Sequence, residues 1–407
     1  MSDCPFPPPG GYLNAIRTSS CVLRELSGVT ISHEGIQRFL KSKAFSSTFD
    51  KLSQNHGLAL PLNFPSQLSE LNVISVLSLV NFGSGFRVPL HEKTGRGAWD
   101  SIRALILGLY ISSSSDGSDL LSAKALKDIS TGTVANMMNI PTHIERPHES
   151  IPGVIVGEVG GPLFELVKLV TSTLNETGEI LISQGYPDLG SFILEVLKEG
   201  ERVGKRNGKG VDVETVLEKI VGAIPAFRDM ALVNGQPIYV FKKALFLLHG
   251  IQQRLGLGSS GIPALDASNL PIFADNVIPS ILVHLGVIDL SNAKLPSVPP
   301  SFKAQSNLDT LLDVAPKLSP EELKKLKNLK PKEGPILTVD DSYVLRAAAI
   351  DACEIILEEA HKIEAEEFAW LKKLTLPQLD AWLWAGAKDR PDYRELERFV
   401  FRDTNFF

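Results

Sequence analysis

A carboxylate set just ahead of a short apolar helix is the most chemically suggestive arrangement in this 407-residue chain. In the stretch 269–288, Pro279 suits the first turn of a helix and Gly286 a C-terminal stop after Ile281, Leu282 and Leu285. Asp275 then faces unpaired backbone N–H groups at the positive end of the helix dipole. Such a carboxylate can stabilise developing positive charge or attack it. The same spacing also describes a plain N-cap, by Asp275 or by Asn276. A second pair, Asp380 and Trp384, stands four residues apart and so shares one helix face. It offers an acceptor and a flat ring, or simply an amphipathic helix that turns its Trp to the core.

The familiar enzyme signatures are absent: there is no P-loop, dinucleotide fingerprint, nucleophile elbow or H-E-x-x-H pattern. The net charge of −6 argues against gripping long nucleic acid by bulk electrostatics, and no stable nucleic-acid complex is expected. Cys4, Cys21 and Cys353 are odd in number and far apart, which argues against a disulfide framework or zinc site and fits a reducing compartment. The N-terminus has no signal-peptide core, and the apolar run 71–86 is shorter than a membrane span and broken by Asn81, Gly83 and Gly85. The expectation is a cytosolic or nuclear protein without a membrane anchor.

The elements around these residues are mainly helical. Residues 1–12 are expected to be a loose tail, and 13–407 a single helical unit with surface insertions near 141–161 and 290–316. The run 71–80 fits either a helix or a buried strand, because it lacks periodicity. Residues 86–97 read as an extended segment and turn, 112–118 as a polar loop and 199–210 as a glycine-rich basic loop. Helices are expected over 162–184 and 241–255, and the longest over 342–374. Thr375-Leu376-Pro377 opens another that carries Asp380 and Trp384. Asn234-Gly235 between Leu232 and Ile238 signals a hairpin turn, and Ser319-Pro320-Glu321-Glu322 a capping box. The fold class is all-α with one or two small β hairpins.

Several short motifs, in order, make the chain resemble the queuosine salvage protein family, the queuosine 5′-phosphate N-glycosylase/hydrolases. They are Leu174-Asn175-Glu176-Thr177-Gly178, Pro225-Ala226-Phe227-Arg228-Asp229 and Val240-Phe241-Lys242-Lys243-Ala244. Phe273-Ala274-Asp275 with His284-Leu285-Gly286 follows, then Leu379-Asp380-Ala381-Trp382-Leu383-Trp384 and the aromatic end Phe406-Phe407. The resemblance implies a fold like the helix-hairpin-helix DNA glycosylases. It implies metal-free, cofactor-free hydrolysis of the N-glycosidic bond of queuosine 5′-phosphate, releasing queuine for tRNA modification. It casts Asp275 as the carboxylate at the sugar C1′, where positive charge develops. Phe273, beside Ala274, would stack on the base; Asp380 would accept from its pairing edge and Trp384 would wall the pocket. Lys242, Lys243 and Arg228 would hold the phosphate, Lys242 before Lys243, and Arg346 is a looser candidate. His56 would contact substrate, and Asn81-Phe82 echo a pair near the pocket. The family carries an acid directly after this Trp, where the chain has Ala385. That departure leaves open a non-catalytic helical protein that only binds a 7-deazaguanine base or nucleotide.

Overall fold

The computed structural model describes residues 4–53, 57–116, 118–256, 261–302 and 307–407. Its main helices are α1 (Tyr12–Leu26), α2 (Gln67–Leu79), α3 (Arg87–Thr94), α4 (Ala98–Asp116) and α5 (Pro162–Ser183). They continue with α6 (Leu189–Arg206), α7 (Lys242–Leu255), α8 (Val277–His284), α9 (Val339–Lys362) and α10 (Leu376–Asp389). The strands are β1 (Thr30–Ile31), β2 (His143–Pro147), β3 (Ile155–Val159), β4 (Met230–Val233), β5 (Gln236–Tyr239), β6 (Ile288–Asp289), β7 (Glu333–Ile336) and β8 (Arg398–Val400). They make only two-stranded sheets, so the fold is mainly α with small β elements, as composition and spacing predict.

Two of the sheets are hairpins, β2–β3 and β4–β5. In the second, Asn234 and Gly235 take φ +50° and +77°, the paired left-handed turn that an Asn-Gly step favours. The other two, antiparallel β1–β6 and parallel β7–β8, join strands remote in sequence. No local pattern encodes such pairings.

α2 explains why the run 71–80 resists assignment: every residue from Leu71 to Leu79 is buried, so there is no polar face to set a period. It crosses α6 at very close range, where a Cβ on Gly190 would lie 2.7 Å from the Asn72 Cα. Asn72 fastens the crossing by accepting from Gly190 N at 3.0 Å and donating to Leu121 O at 3.3 Å. α7 and α4 pack against the same helix.

Several expected loops are ordered elements instead. Residues 87–94 are α3, because Pro89 falls in the first turn, where its missing N–H breaks nothing. α4 runs through the serines of 112–116, with Ser113 Oγ folded back onto Leu109 O at 2.7 Å. α6 continues to Arg206, since Gly200 and Gly204 are buried against residues 210–216. The 141–161 insertion is the exposed β2–β3 hairpin. Nor are residues 4–11 loose: Cys4 Sγ donates to Ala231 O at 3.2 Å and Pro5 O accepts from Tyr239 Oη at 2.8 Å. One apolar cluster runs from Cys4 to Phe407, and all three cysteines are free. No single described helix is long and apolar enough to cross a membrane, although α2 with Ser84–Thr94 passes as a bent pair by length and composition.

Candidate active site

The site begins with a strained step in the backbone. Phe241, at the entry to α7, holds φ +48° despite its large side chain. A non-glycine residue there costs about 1–3 kcal/mol and persists only where its surroundings enforce it. The Tyr12 ring stacks on it at 5.8 Å, Tyr239 lies at 5.9 Å, and Asp229 O accepts from its N–H at 3.2 Å. The bend turns both Lys242 and Lys243 inward, at 3% and 0% exposure.

Behind them sits a closed charge pair. Asp229, wholly buried, receives two guanidinium donors from Arg346, one on Oδ1 at 3.0 Å and a shorter one on Oδ2. It also accepts from Tyr343 Oη at 3.3 Å and Lys242 N at 3.4 Å. Burial, with the Asp229 charge beside it, pushes the Tyr343 hydroxyl well above the ordinary tyrosine range. Arg346 Nε donates to Ala274 O at 2.9 Å, so this pair anchors the peptide immediately before Asp275.

Asp275 divides its two oxygens. Oδ1 accepts from Val277 N at 2.7 Å, which restrains the first turn of α8. Oδ2 lies 3.8 Å from Lys242 Nζ, and that amine also donates to Asn81 O at 2.9 Å. One oxygen therefore serves the helix end, and the other is left beside the lysine. Asn276 does not cap with its side chain; its Nδ2 donates to Phe399 O at 2.8 Å and docks β8 onto α8. Burial lowers the Lys242 pKa below the ordinary lysine value, against the opposing pull of Asp275.

This carboxylate faces a cavity of about 560 Å³, whose wall includes Lys242, Asn276, Trp99, Trp384, Arg87 and Arg398. Trp384 and Trp99 meet at right angles with centroids 6.4 Å apart. Among the described residues, nine buried side-chain polar atoms have no hydrogen-bond partner. Five of them belong to residues of this wall: Ser84, Arg87, Trp99, Asn276 and Arg398. Buried polar groups are nearly always satisfied, so five such atoms on residues of one wall set it apart from the rest of the described residues.

The sequence candidates separate into groups. Asp275, Lys242, Trp384, Asn81 and Phe82 all line the cavity. Phe273 and Asp380 are joined behind it: Asp380 Oδ2 accepts from Phe273 N at 2.6 Å, and the Phe273 ring lies 5.3 Å from His249 and 6.0 Å from Phe246. Ala274 is fully buried beside them, and Ala385 is buried on α10 outside the wall. Lys243 is caged between the rings of Phe82 and Phe406, at 5.1 and 5.0 Å, rather than lining the cavity. Arg228 is not brought to the site: its guanidinium is bonded to the carbonyls of Val221 and Gly222 and lies over the Phe6 ring. Arg346 is committed to Asp229 and Ala274. His56 lies outside the described residues. Sequence reasoning missed Arg87, Trp99, Arg394 and Arg398, which line the wall. The four-residue spacing of Arg390, Arg394 and Arg398 was visible, but it reads equally well as a solvated face.

Comparison with known proteins gives the same family as the motifs. The family model described as queuosine salvage protein matches residues 112–298. A queuosine 5′-phosphate N-glycosylase/hydrolase of Mus musculus is 33% identical over 123 residues, covering 30% of this chain and 32% of that protein. The protein of the same name from Bos taurus is 28% identical over 123 residues, with the same coverage. That of Sphaerobacter thermophilus is 27% identical over 144 residues, covering 32% of this chain and 43% of that protein. The matches thus span about a third of the length of the first of these relatives. The family segment holds Lys242, Phe273 and Asp275, whereas Asp380 and Trp384 lie beyond it. Through its central segment, the chain is similar to the queuosine salvage proteins.

Proposed function

We propose that the protein hydrolyses the N-glycosidic bond of queuosine 5′-phosphate, releasing the base queuine for reuse in tRNA. The observation that carries this reading is the placement of Asp275. One oxygen is fixed by the helix backbone, and the other is presented to the cavity beside a buried amine. Cleaving the bond builds positive charge on C1′, and an immobile carboxylate beside it stabilises that charge without reorganising at the moment of reaction. Water supplies a hydroxyl to C1′ and a proton to the departing base.

Other residues have matching roles. Trp384, on the wall, gives the base a stacking surface, and Asp380, buried one turn earlier on α10 behind the wall, accepts from the base's pairing edge once the base reaches past Trp384. A carboxylate has about four lone-pair sites, so its bond from Phe273 N is compatible with that task. Lys242 sets the electrostatics around Asp275.

The test is release of free queuine from queuosine 5′-phosphate by the purified protein, alongside Asp275→Asn. Turnover by the native protein and a loss of about a thousandfold in the folded variant are the expected results. Turnover retained in the variant would place the catalytic carboxylate elsewhere. Tight binding of queuine without turnover would establish the second reading, a base-binding protein, which Ala385 in place of the family's acid favours.

A further inference from the structure

The cavity holds three arginines that the sequence reading never singled out: Arg87 on α3, Arg398 on β8 and Arg394 between α10 and β8. The fold forces them together. A Cβ on Gly85 would lie 2.2 Å from Phe401 O, so only glycine lets the turn before α3 press onto the chain leaving β8. Arg402 Nε fastens the same contact on Gly85 O at 3.0 Å. β8 is in turn fixed to α8, because Phe399 O accepts from Asn276 Nδ2 at 2.8 Å and Phe399 N donates to Ser280 Oγ at 3.0 Å. Arg398, adjacent to Phe399, is thereby held near Asp275.

The charge balance there differs from that around four other arginines, each of which has a carboxylate partner. Arg346 has Asp229, Arg390 has Asp392, Arg254 has Glu70 and Arg24 has Asp351. None of Arg87, Arg394 and Arg398 makes an ion pair with a described residue. Arg87 donates one Nη2 bond to Arg394 O at 2.6 Å, while its Nη1 is buried without an acceptor. Arg398 donates from Nη2 to Ala387 O at 2.5 Å, while its Nε is likewise buried without one. Of the other acids on the wall, Asp100 is paired with Lys388 at 3.1 Å, leaving Asp389 and Asp275 itself. Burial and the two neighbouring guanidinium groups both oppose the positive charge on Arg87. Three crowded guanidinium groups with buried donors to spare are a costly arrangement unless an anion joins them.

We propose that Arg87, Arg394 and Arg398 form a binding site for a phosphomonoester dianion, at the end of the cavity shared with Asp275. Under the glycosidase reading, on which the identity of the ligand rests, the dianion is the 5′-phosphate of the nucleotide. The role expected of Lys243 and Arg228 then falls to side chains from opposite ends of the chain. Guanidinium forks suit the several oxygens of a phosphate better than the buried amines do.

Two measurements test this separately. The first needs no turnover: calorimetric titration of the native protein with inorganic phosphate and with ribose 5-phosphate, repeated on Arg87→Met and Arg394→Met. Arg206→Met, an exposed charge loss elsewhere, is the control. Binding by the native protein and the control, weakened about tenfold to a hundredfold in both cavity variants, is expected for lost charge-assisted bonds. Equal binding by all four proteins, or none by the native protein, would overturn the site. Because Arg87 also holds the Arg394 carbonyl, circular dichroism must show its variant folded; the partly buried Arg394, whose side chain makes no hydrogen bond to a described residue, gives an independent reading. The second compares hydrolysis of queuosine 5′-phosphate with that of queuosine. The cavity variants should lose about tenfold to a hundredfold more kcat/KM on the phosphorylated substrate than on the nucleoside. Equal losses would mean that the arginines do not hold the ester phosphate. Phosphate binding with no hydrolysis would retain the site and remove the glycosidase reading, and tighter binding of inorganic phosphate than of ribose 5-phosphate would assign the site to free phosphate.

Discussion

Two charged groupings flank the peptide that carries Asp275, and they are built on opposite principles. On the core side, Asp229 and Arg346 satisfy each other and nearly every remaining donor and acceptor, with exposures of 0% and 2%. On the cavity side, Lys242 Nζ lies 3.8 Å from Asp275, and Arg87, Arg394 and Arg398 make no ion pair with a described residue. A closed buried pair fixes geometry but is indifferent to ligands, whereas an open one costs stability and gains from whatever enters. The first fixes the peptide ahead of Asp275, and the second leaves charge facing the cavity.

The comparison breaks if the closed pair is dispensable. Asp229→Asn leaves Arg346 buried with its charge uncompensated, and should cost about 3–5 kcal/mol in urea unfolding. Replacing both partners, as in Asp229→Asn with Arg346→Met, should recover a large part of that loss. Failure to recover would mean that the hydrogen bonds to Ala274 and Tyr343 matter more than the charges do.

A smaller effect is expected on the open side, and in activity rather than stability. Lys242→Met keeps the volume of the side chain but removes the cation beside Asp275. It should lower kcat on queuosine 5′-phosphate about a hundredfold while the melting temperature holds or rises. An equal fall in melting temperature would mark Lys242 as a structural strut.

The smallest effect sharpens the boundary between the two sides. Lys243 is fully buried, and burial holds its pKa well below the ordinary 10.5. Below pH 10.5 the unfolded chain binds a proton that the folded chain refuses, so its contribution to stability improves as pH rises toward that value. Lys243→Met removes this penalty and should stabilise the protein by about 1 kcal/mol at pH 7. The advantage should shrink between pH 7 and pH 10, which a series of melting curves would show. An advantage that does not change with pH would mean that Lys243 stays protonated between its two rings.

The helices and the central motifs were legible because they depend on local signals. Asn234-Gly235 dictates its own turn, Thr375-Leu376-Pro377 opens α10, and Asp275 stands ahead of Pro279 whatever else the chain does. The cavity was only half legible, for a physical reason. Lys242 and Asp275 both lie in the segment with family motifs, whereas Arg87 meets Arg398 only through the close approach at Gly85, which no spacing rule encodes. The motif 225–229 offers the Arg228 cation to the eye, yet its structural weight rests on the neighbouring Asp229. Glycines and serines in 199–210 and 112–118 suggest loops, yet packing at Gly200 and Gly204 keeps 199–206 helical, and 112–116 continue α4 with Ser113 bonded to the backbone.

That the cavity draws its walls from the first quarter of the chain, from the middle at Lys242 and Asp275, and from the last stretch at Trp384 and Arg398 also sets an order of events. Helices such as α5 and α6 can form from local contacts alone, while Arg87 and Arg398 must close a loop that encompasses most of the molecule. Contacts between such distant segments are the slow ones in folding. On refolding from denaturant, far-ultraviolet dichroism should therefore return before phosphate binding does, and catalytic competence should be among the last properties that the chain recovers.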